Sequence, residues 1–167
     1  ANIYEDIANH LAMSGEIAKG LPWAEKALEL AKKLDAHEAI ARSYLILGDI
    51  LGWTDEERKA VGCVERALTI ALDNGFVEAA LWAYNDLAVY ARGQEERRQE
   101  LYEKGFELAR KIGAIRSISW IGTNLSDAHL GMGNMDKAVL LAEESVALDR
   151  KAGNMTNLSF SMNERGW

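Results

Sequence analysis

The sequence predicts an all-α fold made of stacked antiparallel helix pairs, and three observations carry that expectation. A nine-residue pattern returns along the chain: Glu-Lys-Ala-Leu-Glu-Leu-Ala-Lys-Lys at 25 to 33, Glu-Arg-Ala-Leu-Thr-Ile-Ala at 65 to 71, Glu-Lys-Gly-Phe-Glu-Leu-Ala-Arg-Lys at 103 to 111, and a weaker copy at 143 to 151. The copies start 40, 38 and 40 residues apart, a period at which no unit buries its own apolar face without its neighbours. Apolar residues recur at helical spacing throughout, and no alternating stretch calls for a strand. Glycines and asparagines fall between the periodic segments, where a chain reversing direction needs a left-handed residue.

Each unit divides into two amphipathic segments. The first, A, is expected near 2–13, 37–52, 77–92, 115–132 and 155–167; the second, B, near 20–34, 55–74, 95–112 and 135–152. That makes nine helices in one array, with repeats near 1–36, 37–76, 77–114 and 115–154 and a partial fifth over 155–167. A single proline, Pro22, and the absence of any Ser/Pro/Gly-rich tract leave no linker between them.

Superposing the units shows how the helices approach. One A position is small in each copy, Ala8, Gly48, Ala88 and Ser126, and follows a bulky residue, Ile7, Leu47, Leu87 and Leu125. In B the small residues are Ala27, Ala67, Gly105 and Ser145, followed by Leu28, Leu68, Phe106 and Val146. Helix axes about 8 to 10 Å apart need this pairing of small with large. A mid-helix glycine costs about 1 kcal/mol against alanine, so Gly48 and Gly105 are expected at close contacts.

These residues resemble the tetratricopeptide repeat, with its large-small pair in helix A, turn glycine, and small residues in helix B. The clearest copy runs from Asn124-Leu125-Ser126-Asp127-Ala128 through the turn Gly133-Asn134-Met135-Asp136 to Ala138 and Ala142. The opening copy matches at Ile7-Ala8, Leu11, Gly15, Gly20, Ala24 and Ala27. The period exceeds the family's usual 34, and the long form is similar to the repeats in sensor arms of bacterial multidomain regulators. The resemblance implies a right-handed superhelical array whose A helices line a concave groove. Carried onto this chain, the groove would present Arg42, Asp49, Trp82, Asn85, Arg92, Trp120, Thr123, Asn124 and Asp127, with Asn2, Glu5, Leu45 and Gly52 on the same stripe. The family's carboxylate clamp is not reproduced, since Glu5 stands where a cation belongs.

Two tryptophans beside amides, an arginine and carboxylates form a recognition surface in that reading; in the alternative, Trp82 and Trp120 fill the space between A helices. The function expected is a non-catalytic protein or peptide interaction scaffold, with a small-molecule sensor domain as the alternative. The chain opens at Ala1 and stops inside an apparent helix, so it reads as part of a larger bacterial regulatory protein. Residues 155–167 would then present Phe160, Met162 and Trp167 as an apolar patch through which two copies could pair.

Composition narrows the partners. A net charge of −7, with 26 acidic against 19 basic residues, opposes direct binding to nucleic acid. No apolar stretch approaches the roughly 20 residues of a membrane span, and a single cysteine, Cys63, cannot pair internally, which suits a reducing cytoplasm. His10, His37 and His129 stand singly, so no metal is expected, nor any cofactor, and no nucleophile-base set supports an enzyme. The charge runs at 55–59 and 95–100 read as solvated first turns of B helices, where acids complement the helix dipole.

Overall fold

The computed structural model describes residues 2–54 and 56–153. They form eight helices: α1 Asn2–Met13, α2 Ile17–Lys33, α3 His37–Gly52, α4 Glu57–Asn74, α5 Val77–Tyr90, α6 Glu95–Ile112, α7 Ile115–Gly131 and α8 Met135–Ala152. Among the described residues there is no strand. The ninth helix expected over 155–167, with its Phe160, Met162 and Trp167 patch, lies outside them. The helices fall into two compact units, Ala1–Tyr90 and Ala91–Trp167.

In the first unit consecutive helices pack together from α1 to α5, and α3 also lies against both α1 and α5. In the second, α6 packs on α7 and α7 on α8. The expected notches are all closed: Ala8, Gly48, Ala88 and Ser126 are buried, as are Ala27, Ala67, Gly105 and Ser145. So are Leu47, Leu87 and Leu125. Gly48 receives Val64 and the carbonyl of Ala60, one turn before the Ala67 that the sequence pairing suggests. In the second unit the notch at Ser126 is held by a hydrogen bond, its hydroxyl donating to the Ala138 carbonyl at 2.8 Å.

Helix ends follow local chemistry. Gly75 and Gly113 close α4 and α6 with φ of 73° and 70°, the left-handed cap that glycine enters without a Cβ clash. The turn after α2 places Asp35 in that region, at φ 50°, and aspartate is among the few residues that tolerate it. Three boundaries differ from expectation by two or more residues, among them the start of α4, at Glu57 and not 55. Helix α2 begins three residues earlier, with Pro22 inside it, because its first turn already packs on α1: a Cβ on Gly20 would stand 3.0 Å from the Ala8 carbonyl oxygen. Helix α5 ends at Tyr90, two residues short.

Candidate functional site

In the first unit, α1, α3 and α5 lie side by side and carry one set of polar residues. The Glu5 carboxylate, 5% exposed, accepts a hydrogen bond from the Ser43 hydroxyl at 3.0 Å and faces Arg42 Nε at 3.4 Å. The same guanidinium donates to Asn2 Oδ1 at 2.8 Å. Glu5, expected as a groove residue, is therefore a buried strut between α1 and α3, and Arg42 is occupied in holding it. A buried carboxylate is tolerable only when ion pairing and hydrogen bonds replace its hydration.

Further along α3 and α5, Asp49, Asp86 and Tyr90 influence one another electrostatically. Asp49 is exposed but crowded on its flanks, and that desolvation raises its carboxyl to about 6. Burial lifts Asp86 to about 7, the charge of Asp49 adds to the rise, and the Asn85 amide, donating to Asp86 Oδ1 at 3.0 Å, opposes it. Like charges this close disfavour double ionisation, so the pair carries less than two full charges near neutrality. The Tyr90 phenol is pushed well up, by burial first and then by the two aspartates; its hydroxyl donates to the Gly48 carbonyl at 2.9 Å, and its ring fills the space a side chain on Gly52 would need. Asp86 and Tyr90 escaped the sequence reading, although their spacing of four places them on one helical face beside Asn85.

Of the expected site residues in this unit, Asp49 and Trp82 are accessible, Trp82 by 47%; Arg42 is half-buried and Asn85 buried. In the second unit α7 carries Trp120, Asn124 and Asp127, all half-buried. Thr123, on the same helix, is buried, and its hydroxyl donates to the Ser119 carbonyl at 3.0 Å. Arg92 is exposed and stands in the turn just after α5. Asp127 is bound by Arg98, which also reaches Glu95 Oε2 at 3.2 Å. Arg98 belongs to the run read as solvated, yet its side chain is only 12% exposed and lies over the Tyr102 ring at 5.7 Å. Among the described residues no group of three or more His, Cys, Asp or Glu is placed to hold a metal ion, and no helix is long and apolar enough to cross a membrane.

Residues 1–73 match the family described as tetratricopeptide repeat, the region that holds the opening copy of the pattern. Over those residues the chain carries the tetratricopeptide-repeat pattern. No curated protein matches the sequence, but solved structures show the same fold across nearly all of it. Aspartyl phosphate phosphatase F from Bacillus subtilis superposes with a TM-score of 0.90 at 13% identity, covering 98% of this chain and 44% of that one. BtubC from P. vanneervenii gives 0.77 at 20% identity over 95% of this chain and 70% of that one. A putative kinesin light chain of nearly identical TPR-like repeats from Podosopora anserina gives 0.73 at 19%, with 99% and 86% covered. The chain thus spans less than half the length of the phosphatase. Likeness at these identities is likeness of fold, and tetratricopeptide folds serve as scaffolds that bind proteins or peptides.

Proposed function

We propose that the repeats form a single non-catalytic array that binds a protein or peptide along the stripe containing Arg42, Asp49, Trp82, Asn85, Arg92, Trp120, Thr123, Asn124 and Asp127, within a larger cytoplasmic regulatory protein of bacterial type. The observation that carries this reading is Trp82, a large aromatic left 47% exposed on α5, close in sequence to Asp86, whose carboxyl burial pushes up to about 7. An accessible indole beside directional polar groups is the composition of a binding hot spot. A phosphatase of bacterial origin whose chain is more than twice as long supports a place in a larger regulator. Pairing of two copies through residues 155–167 belongs to the same proposal.

The small-ligand alternative is less well supported. Cavities of about 700 and 530 Å³ are lined by α2, α3 and α4 and not by Trp82. Pull-down with wild type, Trp82→Ala and Trp120→Ala, each checked by circular dichroism, tests the site. A folded variant should lose at least about 1 kcal/mol of partner binding; undiminished recovery by both folded variants moves the site off this stripe.

A further inference from the structure

A groove runs along the first unit between α2 and α4, floored by α3, and encloses about 700 Å³. Its floor is Tyr44, Leu47 and Leu51, which lie roughly half a helical turn from Arg42 and Asp49, so this is a different surface of α3 from the proposed recognition stripe. Two features of the groove have no explanation inside the chain.

The first is a glycine. Gly62 sits within α4 and lines the groove, yet a Cβ there would meet nothing within 4 Å. Gly20, Gly48 and Gly122 have neighbours that exclude a side chain; Gly62 bears the helical cost of glycine, about 1 kcal/mol against alanine, with no internal contact in return. A backbone left bare on an outward surface suits a partner that approaches it closely.

The second is a pair of cations. Lys32 Nζ lies 5.1 Å from the Tyr44 ring centroid, and Arg66 Nη1 stands 3.4 Å from the Tyr44 hydroxyl, to which it donates. Neither forms an ion pair with a carboxylate among the described residues. The other charges of the groove are balanced or distant: Glu29 pairs with Lys33, Glu56 with Lys59, and Glu25 precedes Lys32 by seven residues, about 10 Å along the helix. Burial pushes the Tyr44 phenol up, but the two cations more than offset it and hold it below its ordinary range. The overall charge of −7 does not cancel this local field, since charges beyond about 8 Å are largely screened at physiological salt.

We infer that this groove is a second docking site, for a peptide segment that lays apolar side chains on Leu47 and Leu51, passes closely over Gly62, and places an Asp or Glu carboxylate between Lys32 and Arg66 against the Tyr44 hydroxyl. Charge complementarity selects an acidic-apolar peptide: the end of the groove at Tyr44 is cationic, and its floor excludes a fully polar chain. Arg66 supplies the planar fork that a carboxylate accepts in bidentate fashion.

The probe is an array of C-terminally amidated heptapeptides that pair Leu or Phe with one Asp or Glu, each beside its Asn or Gln counterpart, incubated with the folded chain. The acidic members should be retained at least ten-fold better than their amides, and Lys32→Glu/Arg66→Glu should abolish the difference while circular dichroism stays unchanged. Gly62→Ala should raise the melting temperature and yet weaken retention several-fold, a combination a purely structural glycine does not produce. Cys63, the single cysteine, lines the groove, so a saturating retained peptide should slow its alkylation by a maleimide. Trp82→Ala should leave retention unchanged, which separates this site from the stripe proposed above. Equal retention of acids and amides, no retention of either, retention that survives the charge reversal, or loss on Trp82→Ala overturns the inference.

Discussion

Gly48 and Val64 meet where α3 crosses α4: a Cβ on Gly48 would stand 2.5 Å from Val64 Cγ2. The contact is closer than carbon atoms allow, so the absence of a side chain at 48 sets the distance between the two helices. The same residue's carbonyl takes the Tyr90 hydroxyl, which ties α5 to the junction.

Gly48→Ala should therefore destabilise by about 1 to 3 kcal/mol through overpacking, although alanine is the better helix former by about 1 kcal/mol. Adding Val64→Ala should recover part of that loss. Urea titrations of the two single variants and the double variant should give a coupling of at least about 0.5 kcal/mol; simple additivity would mean that the helices move apart freely.

Leu87 is 7% exposed, and Leu87→Ala should cost about 2 to 5 kcal/mol, the transfer energy of the lost side chain plus the void it leaves. Glu96 is exposed, and Glu96→Ala should stay within about 0.5 kcal/mol. Equal midpoints in denaturant would contradict the register of the repeats.

Asp86 makes stability depend on pH with a definite sign. Its folded value, about 7, lies above the ordinary 3.8 of an aspartate, so the folded chain holds a proton that the unfolded chain has released between those limits. Stability should fall as pH rises from about 4 to 7. Asp86→Asn should be nearly neutral at pH 4 and stabilising at pH 8, by about 1 to 2 kcal/mol after allowance for solvent screening. Thermal melts of both proteins across that range measure it, and parallel profiles would count against the assignment.

Neighbouring arginines should behave differently. Arg98→Ala removes a largely enclosed cation from Asp127, Glu95 and the Tyr102 ring and should cost about 1 to 3 kcal/mol. Arg97 makes an exposed pair with Glu100 at 3.0 Å, and Arg97→Ala should change stability by less than about 1 kcal/mol. Chemical denaturation of both variants would expose any error in this division.

The fold was legible because repetition multiplies a weak signal. Ala27 alone says little, but Ala27, Ala67, Gly105 and Ser145 at one register position define a packing surface. The candidate site was less legible because each repeat spends its polar residues differently. Glu5, Asn85 and Thr123 occupy equivalent A-helix positions, yet one is a buried strut, one steadies Asp86, and one bonds its own helix. Arg98 was hidden for a related reason: a run of alternating charges gives no sign of which member turns inward to Asp127. The fates of Glu5 and Arg98 depend on neighbours 38 and 29 residues away, a separation over which periodicity constrains position and says nothing about partner.

The strut between Glu5, Ser43 and Arg42 bears on how this array can be recombined. Units that meet only through apolar small-large contacts are interchangeable, and consensus arrays are assembled on that basis. Here α1 is keyed to α3 by a carboxylate that only a hydroxyl and a guanidinium at 43 and 42 satisfy, whereas Leu45 holds the matching position on α3 itself. A second copy of α3 spliced in place of α1 would face Ser43 and Arg42 with leucine, and α1 moved to an internal position would enclose Glu5 without its counter-ion. The repeat that holds α1 is thus not interchangeable with its neighbours, and chimeras that preserve the Glu5, Arg42 and Ser43 set should assemble where those that shuffle it do not.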